Sequence, residues 1–282
     1  MSPPSLGISL MEQRKIAFIG AGNMTRSIIA GLVASGYEPT KITATNPSKE
    51  KLIALANEYG VMTTHDNLKA AEQADVIVLA VKPQLMATVA SGMVGVDFNS
   101  KLVVSIAAGI SIQRLKGMFS AELNLVRVMP NTPSLLGEGM SGLYANEDIL
   151  SQDKQFATDL MEAVGKACWV EKESAINDVI AAAGSAPAYF FLFMEAIQQE
   201  AIRNGMTEQT ARLLVQQTAY GAAKMVCGNP DTDLATLRQQ VTSKGGTTAE
   251  AIRTFEDSGL RDIVSQAMQA AVSRAEEMEK QF

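Results

Sequence analysis

Residues Lys15–Arg26 read KIAFIGAGNMTR, and their order decides the fold. Ile16, Phe18 and Ile19 make a short buried strand, Gly20-Ala21-Gly22 follows without a spacer, and Met24, Ile28, Ile29 and Leu32 open a helix. A strand that turns on glycine into a helix aims unpaired backbone N–H groups at whatever lies over the turn, and the helix dipole favours an anion there. Gly20 permits the tight turn, and Gly22 lets backbone approach a pyrophosphate that a Cβ would hold off. The sixth position of the GxGxxG pattern is Thr25, which predicts a helix–strand contact wider than glycine would allow. Glycines in turns also serve structure alone. A place directly after the first strand, with a βαβ pattern behind it, favours a dinucleotide site.

The pattern continues outward. Gly36 stops the first helix, Lys41–Thr45 (KITAT) reads as a second strand, and Ser48–Tyr59 reads as an amphipathic helix closed by Gly60. Asp75–Val81 (DVIVLAV) and Leu102–Ala107 (LVVSIA) are apolar runs of the kind expected for strands covered on both faces. Pro83 begins a short helix, Ser111 caps another through Lys116, and Asn124–Met129 (NLVRVM) is a strand leading into Pro130-Asn131-Thr132-Pro133. Met140–Ala145 reads as an edge strand, followed by a helix from about Ser151 to Val164. Strands and helices alternating in this way predict an α/β Rossmann domain with a doubly wound, mostly parallel sheet. From Ala175 onward only helical periodicity remains. Ile263, Val264, Ala267, Met268, Ala271, Val272, Ala275 and Met278 share one helical face, suited to core or subunit-interface packing. The expected division is a disordered lead at 1–12 with Met11 as an alternative start, a nucleotide-binding domain at 13–172, and an all-α domain at 173–282.

The chain of 282 residues is long enough for two cores, and its 47% hydrophobic and 19% charged content describes an ordinary globular protein. A net charge of −6 argues against nucleic acid or an anionic membrane surface as partner. No apolar run approaches the roughly 20 residues of a membrane span. The richest, Ala186–Ile197, is interrupted by Pro187 and Glu195. Residues 1–11 lack a secretion-signal pattern. Cys168 and Cys227 read as reduced, buried thiols of a cytoplasmic protein. The sole histidine, His65, reads as a surface or capping residue, and the sole tryptophan, Trp169, as packing at the domain boundary. No metal site is expected.

A carboxylate at the end of strand two normally holds the adenosine ribose and repels a 2′-phosphate. Here that point reads Thr45-Asn46-Pro47-Ser48-Lys49, with no acid. Donors at Asn46 and Ser48 and the charge of Lys49 favour NADPH, with NADH the weaker alternative. The same residues also describe an Asn-Pro turn ahead of an N-cap serine, and both readings can hold. Further on, Ser243-Lys244-Gly245-Gly246 runs into Thr247-Thr248-Ala249-Glu250, which fits a capping box with Thr247 as N-cap and Glu250 reaching back. Glycines before a helix N-terminus make a seat for a small anion such as a carboxylate. Spacing alone equally describes a capped helix after a flexible loop.

Taken together, these stretches resemble the pyrroline-5-carboxylate reductase family over nearly everything after Arg14. The resemblance rests on IGAGNM (Ile19–Met24), AVKPQ (Ala80–Gln84), SIAAGI (Ser105–Ile110), MPNTP (Met129–Pro133), GSAPAY (Gly184–Tyr189) and the glycine-threonine stretch Thr242–Phe255. It implies NADPH-dependent reduction of 1-pyrroline-5-carboxylate, a small imine carboxylate, to L-proline. It also implies a homo-oligomer built on an interlocked dimer, with a decamer as a larger form, and active sites between the nucleotide domain of one subunit and the helical domain of another. By match, Ile19, Gly20, Ala21, Gly22, Asn23 and Met24 would line the pyrophosphate, with Asn46, Ser48 and Lys49 near the 2′-phosphate. Asn67, Ala80, Val81, Lys82, Pro83 and Ala108 would surround ribose and nicotinamide, with Asn131 close by. Ser243, Gly245, Gly246, Thr247 and Thr248 would hold the substrate, Thr248 as the catalytic residue on the ring nitrogen, and Glu173 would lie near that pocket. Departures from the family pattern fall at Thr25, Asn177, Asp231-Thr232-Asp233, Gln240 and Lys244. The rivals are a reductase of the same plan acting on another imine, a 3-keto acid or a deazaflavin, and a non-catalytic nucleotide sensor.

Overall fold

The computed structural model describes residues 13–281, so the expected disordered lead and the start at Met11 lie outside the described residues. Eight strands among those residues make one sheet. They are β1 (Ile16–Ile19), β2 (Ile42–Thr45), β3 (Met62–Thr64), β4 (Val76–Leu79), β5 (Leu102–Ser105), β6 (Asn124–Met129), β7 (Gly139–Ala145) and β8 (Gly165–Trp169). Their order is β3-β2-β1-β4-β5-β6-β7-β8. β1 to β6 run parallel; β7 is antiparallel to β6, and β8 is parallel to β7.

Alternate residues of the central strands enter two separate cores. Ile16, Phe18, Val76, Val78, Leu102 and Val104 face one, and Ala17, Ile19, Ile77, Leu79 and Val103 face the other. Both faces are covered, which is why these strands are apolar throughout. On the first face pack α1 (Asn23–Ala34), α2 (Lys49–Tyr59) and α6 (Ser151–Glu162). On the second pack α3 (Asn67–Gln73), α4 (Met86–Ser91) and α5 (Ile112–Phe119). Gly60 ends α2 in the left-handed region at φ 72°, as its place in the sequence predicted.

Two strands differ from expectation. β7 is not an edge, because β8 (GKACW) pairs along it and takes the edge itself. β3 is the opposite edge and was not foreseen, since its three residues are exposed or half-buried. Trp169 ends β8 and leans on α6, its Nε1 donating to Thr158 Oγ1 at 3.0 Å. Cys168 and Cys227 are both exposed, correcting the expectation of buried thiols.

The remaining helices are α7 (Ala175–Val179), a π-turn at Ile180–Gly184, α8 (Ala186–Arg203), α9 (Glu208–Cys227), α10 (Leu234–Gln240), α11 (Thr247–Asp257) and α12 (Leu260–Gln281). The helical run Ala175–Arg203 is long and apolar enough to cross a membrane by length and composition, with a mean hydropathy of 1.5 in its best window. Pro187 therefore does not interrupt it as expected. The π-turn absorbs the proline: Ser185 N reaches the Ile180 carbonyl at 2.8 Å.

The chain forms two compact units, one running through Ser185 and resuming at Ala271, the other Ala186–Ala270. This division does not follow the 172/173 boundary. α7 and the π-turn lie on the sheet, where any Cβ on Gly142 would stand 2.5 Å from Val179 Cγ2 and one on Gly184 would stand 2.8 Å from Met129 Cε. In the second unit α8 packs along α9, and the Phe193 and Phe255 rings stand 5.8 Å apart.

Candidate active site

The strand order reverses between β1 and β4, and register puts Ile19 level with both Thr45 and Leu79. Carboxyl ends of strands at such a reversal form the crevice in which doubly wound folds bind ligands. Gly20 sits in its wall. The Gly20 N–H donates to the Thr45 carbonyl at 3.1 Å, and Ala80 N–H donates to the Ile19 carbonyl at 2.9 Å. Gly20 has φ +108°, and a Cβ there would stand 2.6 Å from the Ala80 carbonyl oxygen. Only glycine meets both demands.

Gly22 is different. Among the described residues, no atom lies within 4 Å of where its Cβ would project. It is the N-cap of α1, with ordinary extended backbone (φ −83°, ψ −177°) and no side-chain hydrogen bond to the helix start. The first turn of α1 carries no acidic residue, so the helix start has no built-in anion. Ala21 is buried, Asn23 is exposed and Met24 packs on the first core. Thr25 is fully buried, and its Oγ1 donates to the Gly20 carbonyl at 2.7 Å. The threonine thus ties down the turn.

The loop after β2 is held from two sides. Ala21 N donates to Asn46 Oδ1 at 3.3 Å, and His65 Nδ1 hydrogen-bonds the Asn46 carbonyl at 2.7 Å. Thr45 Oγ1 donates to Asn67 Oδ1 at 2.6 Å, which places Asn67, the first residue of α3, beside the same loop. Ser48 is the N-cap of α2 without a side-chain cap bond, and Lys49 is exposed. No acid stands at the end of β2. These residues fit a dinucleotide with a 2′-phosphate: open backbone at Gly22, free donors at the loop after β2, and no carboxylate to repel the phosphate. His65 is on the surface as expected, but its tie to Asn46 was not legible, because β3, which delivers it, was not.

On the β4 side, Val81 packs on the second core, Lys82 is exposed, and Pro83 begins a 3₁₀ turn through Leu85. Ala108 is half-buried in the loop after β5. Asn131 is buried, with both ends of its amide engaged: Nδ2 donates to the Ala183 carbonyl at 3.1 Å, and Oδ1 accepts from Met140 N at 2.9 Å. Glu173 is engaged too. Its Oε1 accepts from Ile112 N at 2.7 Å and pairs with Arg127 Nη1 at 3.0 Å.

In the second unit the glycine-threonine loop starts α11, but not as a capping box. Gly246 is the N-cap, Thr247 is the first helical residue, and the Glu250 carboxylate pairs with Arg253 instead of reaching back. Gly245 takes φ +72°, and a Cβ on Gly246 would meet Ser243 Oγ at 2.7 Å. Ser243, Thr247 and Thr248 are exposed, so their hydroxyls and the first N–H groups of α11 share one accessible helix start.

A bare glycine turn at a strand-order reversal, beside a loop free of acid, defines a nicotinamide-dinucleotide oxidoreductase. The family described as "Pyrroline-5-carboxylate reductase dimerisation" matches residues 173–278, and that described as "NADP oxidoreductase coenzyme F420-dependent" matches residues 15–109. A pyrroline-5-carboxylate reductase of Vibrio alginolyticus is 64% identical, covering 96% of this chain and 100% of its own. The chain belongs to the pyrroline-5-carboxylate reductase family. Among solved structures, a pyrroline-5-carboxylate reductase from Coxiella burnetii superposes with TM-score 0.90 at 42% identity, covering 95% of this chain and 99% of its own. The Plasmodium falciparum pyrroline carboxylate reductase, solved with NADP bound, superposes with TM-score 0.83 at 30% identity over 95% and 99% of the two chains.

Proposed function

We infer that the protein is an NADPH-dependent pyrroline-5-carboxylate reductase, reducing 1-pyrroline-5-carboxylate to L-proline in the last step of proline biosynthesis. The observation that carries this reading is the 64% identity along the whole of a curated reductase. The cofactor, when bound, supplies the hydride, and the protein supplies placement and charge. Backbone from Ile19 to Met24 takes the pyrophosphate; Asn46, Ser48 and Lys49 take the 2′-phosphate; Asn67, Ala80, Val81, Lys82, Pro83 and Ala108 surround ribose and nicotinamide. Asn131, with both ends of its amide engaged inside the protein, acts by shaping the backbone around that seat, and Glu173, whose Oε1 is held by Ile112 N and Arg127, lies near the substrate pocket.

For the substrate, the N–H groups from Gly245 to Thr248 and the Ser243 hydroxyl hold the carboxylate at the start of α11. The Thr248 hydroxyl hydrogen-bonds the ring nitrogen and orients the imine. Threonine is too weak an acid to be the proton source, so its role is orientation; the ring nitrogen takes its proton from bulk solvent beforehand, and the substrate meets the hydride as the iminium. An iminium carbon is already electrophilic, and the step needs little beyond donor and acceptor brought within about 3–3.5 Å.

The functional division proposed is a nucleotide domain at 13–172 and a dimerisation and substrate domain at 173–282. Phe190, Phe191, Leu192, Leu213 and Leu214 are exposed on the second unit. A second copy of the chain covers them in an interlocked dimer, with a decamer as the larger assembly, in the cytoplasm. NADPH oxidation on adding pyrroline-5-carboxylate, with proline as product, tests the reading. NADPH consumption with another imine or keto acid and none with pyrroline-5-carboxylate overturns it.

A further inference from the structure

The loop after β5, residues 106–111, is fastened at two points by groups far from it in sequence. At Gly109 (φ +70°) an added Cβ would stand 2.9 Å from Met278 Cβ and 3.3 Å from Met278 Cε, so α12 lies directly on the loop. Just past the loop, Ile112 N donates to Glu173 Oε1 at 2.7 Å. The two fasteners are joined by one side chain. Arg127 of β6, only 1% exposed, gives Nη1 to Glu173 Oε1 at 3.0 Å and Nη2 to Glu279 Oε1 at 2.6 Å. Glu279 follows Met278 on α12, and its other oxygen lies 3.5 Å from Asn177 Nδ2.

We propose that Arg127 and Glu279 are positioning residues for hydride transfer: they seat Met278 on Gly109 and thereby fix the height of Ala108 in the nicotinamide wall. This rests on the reading above, in which Ala108 borders the nicotinamide. A buried guanidinium whose two terminal nitrogens each hold a carboxylate has few alternative arrangements, because moving either acid strips a hydrogen bond from a group that water does not reach. The loop's backbone is set by that constraint. The pyrophosphate and 2′-phosphate grips lie on other loops, so slackening the latch leaves cofactor affinity in place and disturbs only the reactive end.

The test is steady-state kinetics of the full-length enzyme carrying Glu279→Ala, Glu279→Gln or Ala108→Val, with the thermal midpoint of each variant. Glu279→Ala is expected to lower kcat five- to twentyfold with the KM for NADPH within twofold. It should also raise the primary isotope effect with deuterated NADPH, because the hydride step becomes slower. Glu279→Gln, which keeps an oxygen acceptor for Arg127, should recover at least half of the lost kcat. A Glu279→Ala enzyme with a lower melting temperature but wild-type kcat and isotope effect overturns the proposal and leaves a structural tether. Ala108→Val probes the seat itself: full activity there removes the nicotinamide reading of the loop, and the proposal with it. Impaired Ala108→Val beside intact Glu279→Ala removes the latch alone. Should Glu279→Ala not fold, Met278→Ala, which thins the contact on Gly109 without baring a charge, must show the same drop in kcat or the proposal fails.

Discussion

Asn131 Nδ2 donates to the carbonyl of Ala183 at 3.1 Å, and Pro187, four residues beyond Ala183, has no N–H to offer that carbonyl. One side chain thus repairs the gap a proline opens in a neighbouring helix, while its Oδ1 receives Met140 N. Asn131→Ala strips both partners at a buried site. It should cost about 2–3 kcal/mol in chemical denaturation, the scale of buried polar groups left unpaired. Pro187→Ala restores a backbone donor. A double-mutant cycle should therefore show Asn131→Ala costing less in the Pro187→Ala background; strict additivity would mean that the two residues do not act on the same carbonyl.

The two glycines of the first turn should fail in different ways. Gly22→Ala places a methyl in open space on permitted backbone, so the melting temperature should hold. The methyl stands where the pyrophosphate must approach, and the Kd for NADPH should rise at least tenfold. Gly20→Ala drives a Cβ to 2.6 Å from the Ala80 carbonyl oxygen at φ +108°, and the protein itself should be destabilised. Equal loss of stability in both variants would show that Gly22 serves only the turn.

Cofactor choice should be readable at Ser48. The wild-type enzyme is expected to favour NADPH over NADH in kcat/KM. Aspartate is as good an N-cap as serine, so Ser48→Asp should leave α2 intact while repelling the 2′-phosphate. The NADPH-to-NADH ratio should fall at least tenfold, and an unchanged ratio would place the phosphate elsewhere.

Thr248→Ala should lower kcat/KM by about tenfold to a hundredfold, the scale of one oriented hydrogen bond to the reacting nitrogen. NADPH binding, followed by fluorescence titration, should be untouched. Wild-type turnover would remove Thr248 from the mechanism.

The parts of the fold that showed in the sequence are those buried on both sides. β1, β4 and β5 are apolar at nearly every position because each alternate residue enters one core or the other. β3 and β8 are edges with exposed or half-buried residues, and MTT or GKACW carries no periodicity to read. Missing β8 also made β7 look like an edge. The T-x-x-E of Thr247–Glu250 fits a capping box in spacing, but a glycine one position earlier can serve as N-cap, and Arg253 competes for Glu250. At the site, backbone-built features were legible because glycines announce them. The Arg127–Glu279 pair spans 152 positions, and no local pattern connects its two ends.

That span bears on how the polypeptide matures. Arg127 enters the sheet early, yet one of its two carboxylates arrives only with α12, after the whole of Ala186–Ala270 has been made. Until then the guanidinium has Glu173 as its one carboxylate partner, and the three-membered group stays incomplete. The last turns of α12, rather than the eighth strand, complete the ion group at the heart of the first unit.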